Sequence, residues 1–136
     1  MRALALLAFL AASSPAVVYA QGAGVNALWN DSGPKDHLGF WLYPLKGGCP
    51  DLRAKAKPLV FATKNHRTEH AVSELWYCFQ LPEQAQAPLT NCKAGSVRIA
   101  HEAKSNRYSG TYSFVMADGS KREGSFEAEF CPKENR

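Results

Sequence analysis

The feature that most constrains this chain is a series of short apolar runs separated by turn residues. From residue 38 onward the runs are rich in β-branched and aromatic residues, and each ends at glycine, proline or a polar cluster. No stretch keeps a helical period over three turns. The strand candidates are residues 39–45, 58–63, 72–81 and 96–101 and a closing hairpin over 108–130. We therefore predict a small all-β domain, either an antiparallel β-sandwich or an open barrel.

The closing hairpin can be aligned residue by residue. A two-residue turn at 118–119 would place Phe114 opposite Glu123 and so mix core positions with solvent positions. A three-residue loop over 117–119 avoids this, provided that Gly119 adopts the left-handed conformation of a bulge. This loop predicts the pairs Met116–Ser120, Phe114–Arg122, Tyr112–Gly124 and Gly110–Phe126.

The N-terminus has the pattern of a secretory signal peptide. Met1-Arg2 is a short positive start, an unbroken apolar run covers 3–12, and Val18-Tyr19-Ala20 offers small residues at the cleavage positions. The apolar run is shorter than the ~20 residues that cross a bilayer, and no later stretch approaches that length. We predict a signal peptide over 1–20, a flexible N-terminal arm over 21–36 and a single β domain over 37–136. The protein is then exported, periplasmic or extracellular, and soluble, with no membrane insertion.

Four cysteines follow the predicted signal peptide: Cys49, Cys78, Cys92 and Cys131. Export to an oxidising compartment predicts two disulfides, since the spacings contain no close pair of the kind that binds zinc. Three pairings are open. Cys78 and Cys92 flank a loop without periodicity at 80–91, which favours a local bridge and leaves Cys49 to pair with Cys131. The predicted domain is thus stapled by disulfides.

The closing hairpin also resembles that of small secreted bacterial β-proteins with no assigned function. The resemblance lies in the segments Tyr108-Ser109-Gly110-Thr111-Tyr112, Asp118-Gly119-Ser120 and Gly124-Ser125-Phe126-Glu127-Ala128-Glu129-Phe130-Cys131. In such proteins the last cysteine pairs with one early in the domain. The resemblance therefore implies a Cys49–Cys131 disulfide, and it implies no activity.

The charge of the chain argues against a nucleic-acid partner. The net charge is +4, and the only dense basic segment is Arg53-Ala54-Lys55-Ala56-Lys57. Nucleic-acid binding uses a basic stripe with interleaved aromatic residues, whereas the aromatic residues here lie in other segments. We interpret the basic segment as a solvated face and predict no nucleic-acid binding.

One motif has the spacing of a catalytic site. The segment His66-Arg67-Thr68-Glu69-His70 matches H-x-x-E-H, in which two histidines one helical turn apart bind zinc and the glutamate activates water. That chemistry needs a stable helix and a third ligand, whereas this segment lies between two predicted strands. We predict a solvated loop. The alternative is a secreted metal-binding protein that uses His66 and His70.

No other pattern indicates catalysis. The sequence has no G-x-S-x-G elbow, no phosphate-binding loop and no dinucleotide-binding fingerprint. Carboxylates such as Glu127 and Glu129 belong to the predicted exposed face of a strand, where charges keep a sheet soluble. The sequence therefore favours a protein without catalytic activity and without a cofactor.

Two strands are apolar on both faces. Alternation separates Phe40 and Leu42 from Trp41 and Tyr43, and it separates Tyr77 and Phe79 from Trp76 and Cys78. Either these are central strands that loops cover, or one aromatic face is exposed to a ligand. Core burial is the favoured alternative.

An exposed aromatic face would suit a protein or a glycan partner, because Trp and Tyr give a large contact area at low entropic cost. We predict a non-catalytic binding or inhibitory module, with Trp41, Tyr43 and Trp76 as candidate contact residues. A carbohydrate-binding module that uses the same residues is a further alternative.

Overall fold

The computed structural model describes residues 16–17, 25–31, 36–49 and 57–131. Within these ranges the chain forms nine strands and one turn of 3₁₀ helix, η1 (Val72–Glu74). The strands are β1 (Ala16–Val17), β2 (Val25–Asn30), β3 (Leu38–Gly47), β4 (Leu59–Thr63), β5 (Glu69–Ala71), β6 (Leu75–Gln80), β7 (Thr90–Glu102), β8 (Arg107–Met116) and β9 (Lys121–Phe130).

Seven of these strands close into a mixed barrel. The order around the ring is β2-β3-β4-β6-β7-β8-β9, and β9 returns to β2. Neighbouring strands are antiparallel except at the closure, where β2 and β9 run parallel with Ala27 opposite Ala128 and Trp29 opposite Phe130. β5 lies outside the ring beside β7, and β1 pairs with β9. The all-β prediction is confirmed. Of the two predicted architectures, sandwich and barrel, the structure has the barrel, and this barrel is closed.

Residues 25–30 belong to this barrel. β2 is paired with β3 on one side and with β9 on the other, and both Ala27 and Trp29 are buried in the core. The prediction of a flexible arm over 21–36 is therefore wrong for 25–30, because the indole of Trp29 fills part of the barrel interior. The rest of that arm except residues 31 and 36, and the predicted signal peptide except 16–17, lie outside the described residues.

The barrel interior is a packed aromatic and aliphatic core. Phe40, Phe61 and Phe126 meet inside it, with ring centroids 4.9 Å apart for Phe40 and Phe61 and 5.8 Å apart for Phe40 and Phe126. The three rings lie on β3, β4 and β9, respectively. Their contact therefore joins the strands near the start of the domain to its last strand. Each fully buried side chain of this size stabilises the fold by roughly 1.5–3 kcal/mol.

The closing hairpin has the predicted register. β8 and β9 pair Phe114 with Arg122, Tyr112 with Gly124 and Gly110 with Phe126. The N–H of Met116 donates to the carbonyl of Ser120 at 2.8 Å, and Gly119 has φ of +88°.

Aromatic rings cover two glycines of this hairpin, as the register predicts. A Cβ at Gly124 would lie 3.1 Å from the hydroxyl oxygen of Tyr112, and one at Gly110 would lie 2.8 Å from the ring of Phe126. A Cβ at Gly110 would also collide with the carbonyl oxygen of Arg98, so only glycine fits there, whereas at Gly124 the ring of Tyr112 would have to shift by a few tenths of an ångström.

The hairpin loop is anchored by Asp118. Its carboxylate accepts hydrogen bonds from the hydroxyl of Ser120 at 2.6 Å and from the N–H of Ser120 at 2.9 Å. These bonds to the charged form hold the pKa of Asp118 below its ordinary value. The contribution of the carboxylate to stability is therefore present at neutral pH and is lost as the pH falls through its lowered pKa.

Both disulfides of the favoured pairing are present, and none of the four cysteines is free. Cys78–Cys92 joins β6 to β7, whose ladder contains only the pairs Phe79–Asn91 and Gln80–Thr90. Cys49–Cys131 joins the segment after β3 to the residue that follows β9. The Cys78–Cys92 bridge therefore ties together two neighbouring strands that share only two ladder pairs.

We expect Gly119→Val to lower the free energy of unfolding by more than about 1 kcal/mol, because a β-branched residue is strained at positive φ. Nothing lies within 4 Å of a Cβ built at Gly119, so the effect reports backbone strain alone. Gly119→Asn is the control and should cost less, since asparagine tolerates this region. Chemical denaturation measures the free energy of unfolding of both variants. Equal values for Gly119→Val and Gly119→Asn would contradict the left-handed conformation of Gly119.

Removing each disulfide should destabilise the protein by an amount that grows with the logarithm of the length of the loop that it closes. We expect a loss of about 4.5 kcal/mol for Cys49→Ser with Cys131→Ser and about 3 kcal/mol for Cys78→Ser with Cys92→Ser, since the sequence separations are 82 and 14. Thiol titration of the unfolded wild-type protein should find no thiol. A larger loss for the Cys78/Cys92 pair would show that clamping β6 to β7 outweighs chain entropy.

Candidate functional site

The outer surface of the barrel has two unlike halves. The outward residues of β8 and β9 are polar except for Val115, and they include Thr111, Ser113, Glu123, Ser125 and Glu127. The outward residues of β3, β4 and β6 are apolar, and we call them the aromatic face: Trp41, Tyr43, Val60, Ala62, Trp76, Tyr77 and Phe79. A polar outer surface is expected where a sheet faces water. Apolar residues on the outer surface are not, so the aromatic face is the candidate for a functional site.

The floor of the aromatic face is β4, in which every residue is buried. Leu59 and Phe61 belong to the barrel core, so alternation directs Val60 and Ala62 outward, where they are 3% and 2% exposed. The register places Val60 between Trp41 and Phe79. Small side chains on β4 therefore lie between larger rings on β3 and β6.

Gly39 makes room for one of these rings. A Cβ at Gly39 would lie 3.3 Å from the indole of Trp41, which shows that the ring lies over this position of β3. Gly39 is opposite Ala62, and Ala62 is opposite Tyr77. The row of small residues lets the aromatic side chains lie down against the barrel wall.

A β-bulge directs Trp76 onto the same face. The register between β4 and β6 shifts after Ala62, so that Ala62 pairs with Tyr77 and Thr63 pairs with Leu75, which leaves Trp76 as the extra residue. The prediction that Trp76 shares a face with Cys78 is therefore wrong, because one inserted residue reverses the alternation. Trp76 is 46% exposed.

Neighbouring rings hold the indole of Trp76. Its centroid lies 4.5 Å from the ring of His37, edge to face at 68°, and 5.7 Å from the ring of Tyr77 at 40°. Tyr77 continues to Phe79 at 5.6 Å and 33°. These contacts restrict the rotamers of Trp76 while the rest of its surface stays in water.

The 3₁₀ turn η1 precedes the bulge and is anchored by Glu74. Its carboxylate accepts a hydrogen bond from the N–H of Ala71 at 3.0 Å and forms an ion pair with Arg67 at 3.4 Å. The backbone hydrogen bond, with the nearby Arg67, lowers the pKa of Glu74. Sequence reasoning missed this anchor, because the segment was interpreted as the start of a strand.

Of the three predicted contact residues, only Trp76 is well exposed. Tyr43 is 2% exposed and packs with Cys131, while Trp41 and Cys49 are half-buried around it. Trp41 and Tyr43 both have further partners in the chain. The Cys49–Cys131 disulfide covers this end of the aromatic face and buries Tyr43, so ligand contact by Trp41 and Tyr43 stays a prediction.

The two histidines of the H-x-x-E-H segment lie in different surroundings. His66 is exposed in the loop before β5, whereas His70 lies on β5, is 1% exposed and has its Nε2 2.7 Å from the carbonyl oxygen of Arg67. The solvated-loop prediction is right for 66–68 and wrong for His70. No group of three or more potential ligands among His, Cys, Asp and Glu occurs in the described ranges. Metal binding by His66 and His70 stays a prediction.

A groove of about 350 Å³ lies on the polar half of the barrel, at the β7–β8 turn. It is lined by Glu102, Ser105, Arg107, Tyr108, Ser109 and Glu127. Sequence reasoning missed this groove, because its residues come from three strands and the β7–β8 turn, and only the barrel register brings them together.

Comparison with known proteins adds no relative: no protein family matches the chain, and no curated protein or solved structure is significantly similar to it. The likeness of the closing hairpin to that of small secreted bacterial proteins therefore stays a prediction. None of the described segments is a helix long and apolar enough to cross a membrane.

We expect zinc and copper affinities weaker than about 1 μM, because a firm site needs three or four protein ligands and the Nε2 of His70 is already engaged. Isothermal titration of the wild type and of His66→Ala measures them, and the two proteins should behave alike. His66 is exposed, so its substitution leaves the fold intact. Submicromolar affinity that His66→Ala abolishes would establish the metal-binding alternative.

Proposed function

We propose that the protein is an exported, non-catalytic binding module that holds a folded protein partner through the solvent-accessible part of the aromatic face, Trp76, Tyr77 and Phe79, with Trp76 as its anchor. The observation that carries this proposal is the indole of Trp76, 46% exposed yet held at 4.5 Å by His37 and at 5.7 Å by Tyr77. A large apolar side chain that is both exposed and held in place is what an interface anchor requires.

The entropic cost of binding is lower for a side chain that is already ordered in the free protein. A side chain that becomes immobilised on binding loses about 0.5–1.5 kcal/mol of entropy. His37 and Tyr77 already restrict Trp76, so most of that loss occurs on folding. Contact with a partner then yields the full gain from burying the indole, and tryptophan is among the residues that dominate interface energetics.

The ring orientations favour a protein over a glycan. A sugar chain stacks best on rings whose faces lie in one plane, whereas Trp76, Tyr77 and Phe79 are tilted by 40° and 33° from one another. Tilted rings in mutual contact offer an uneven apolar surface, which side chains of another protein can fill. A glycan at the same face is the second outcome of the test below.

Export is part of the proposal. The positively charged start, the apolar run over 3–12 and the small residues before residue 21 support it. Two formed disulfides also support it, because such bridges persist in oxidising compartments.

Trp76→Ala should weaken the complex at least about 30-fold, the loss expected of a central aromatic anchor. Leu89→Ala is the matched control: Leu89 is 43% exposed but lies next to β7, at the far end of β6 from Trp76, and should change affinity less than about twofold. To obtain the partner, mature protein with a photo-reactive residue at 76 or 89 is mixed with the extracellular or periplasmic proteins of its own source. The protein cross-linked from 76 alone is then purified and titrated against both variants.

A cross-linked partner that binds Trp76→Ala and Leu89→Ala equally well would overturn the proposal. So would the same adducts from both positions. Saturable binding of an oligosaccharide that depends on Trp76, without any protein adduct, would establish the carbohydrate alternative.

A further inference from the structure

The seam that closes the barrel leaves most of β9 without a ring strand on one side. Within the described part of the chain, only Ala128, Glu129 and Phe130 of β9 pair with β2, so residues 121–127 extend roughly 20 Å beyond the closure. Along its other edge β9 is paired with β8 without interruption from Lys121 to Ala128. The open edge therefore belongs to a strand that is already extended and held in place.

The first two residues of this edge are paired with β1. Ala16 lies opposite Lys121 and Val17 lies opposite Arg122, and β1 runs parallel to β9. Because β8 already pairs with Lys121 and Arg122, β1 lies on the side of β9 that β2 occupies further along. The chain itself thus shows that this edge accepts an extended segment in the parallel direction.

Maturation of the exported protein removes β1. Cleavage after Ala20 separates Ala16 and Val17 from the barrel, whereas β2 stays because it begins at Val25. The main-chain groups of β9 that face β1 then lose their partners. Unpaired N–H and C=O groups on an edge strand are a template for another extended segment. This inference rests on the export that is part of the proposed function.

The residues at this edge indicate what can pair there. Lys121 and Glu123 are exposed, and charged side chains on an edge strand oppose indiscriminate pairing with other sheets. The segment that does pair, Ala16-Val17, is uncharged and includes a β-branched residue. We propose that the mature protein binds an extended, uncharged segment of a partner protein along residues 121–127 of β9, parallel to the strand and in the place of β1.

The test uses the chain's own leader segment as the probe. A peptide of residues 13–20, acetylated and amidated to remove its terminal charges, is titrated into mature protein that begins at Gln21. We expect a dissociation constant below about 1 mM, because a short strand forms few main-chain hydrogen bonds. In residues 121–126, the amide protons that are not bonded to β8 should exchange at least about tenfold more slowly when the peptide is bound.

Two controls isolate the edge. The same peptide with Val17→Pro and Val18→Pro should not bind, because proline has no N–H to donate. The full chain should not bind the peptide either, because its own residues 16–17 pair with β9. The proposal is overturned if the peptide at about 5 mM leaves the amide protons of β9 unprotected. Equal protection by the proline peptide, or equal binding by the full chain, would also overturn it.

The outcomes are distinct from those that test the proposed function. Neither the peptide nor the amide readout involves Trp76, so the absence of a partner for the aromatic face would leave this result standing. The first residue of the protein recovered from its source tests the maturation step. A chain that still contains residues 16–17 would overturn the cleavage on which both proposals rest, whereas a chain that begins at Gln21 and does not bind the peptide would overturn the edge site alone.

Discussion

The parallel pairing of β2 with β9 is the constraint on which the rest of the structure depends. Once Ala27–Trp29 lie beside Ala128–Phe130, the sheet closes on itself and each strand has one face inside and one outside. The inside has room for one packed core, which the phenylalanines of β3, β4, β8 and β9 fill. Apolar side chains on the other face of β3, β4 and β6 must then lie on the outside of the barrel.

Closure therefore produces the division of the outer surface into a polar half and an aromatic face. Part of that face serves the fold itself: Tyr43 is buried beside the Cys49–Cys131 disulfide, and Val60 and Ala62 lie beneath larger rings. Trp76 is different, because a bulge turns it outward and leaves nearly half of it in water. The structure thus separates aromatic residues that are buried against the barrel from one that stays exposed.

The Cys78–Cys92 disulfide reinforces the barrel between the two ring strands that share the fewest ladder pairs. β6 and β7 share only two ladder pairs, and Cys78–Cys92 lies directly beside them. β5 pairs with β7 outside the ring and carries the buried His70. In η1, which follows β5, the carboxylate of Glu74 accepts a hydrogen bond from the N–H of Ala71. η1 directly precedes the bulge of β6 that turns Trp76 onto the aromatic face.

Local rules in the sequence were enough to predict the all-β class, the register of the closing hairpin and a Cys78–Cys92 bridge. Alternation and turn chemistry act between residues close in the chain, as Phe114, Arg122 and Gly119 illustrate. The strand at 25–30, the bulge at Trp76, the burial of His70 and the groove at the β7–β8 turn depended instead on contacts between residues far apart in sequence. Only closure of the barrel brings those residues together, so the tertiary structure decided which polar and aromatic side chains share a site.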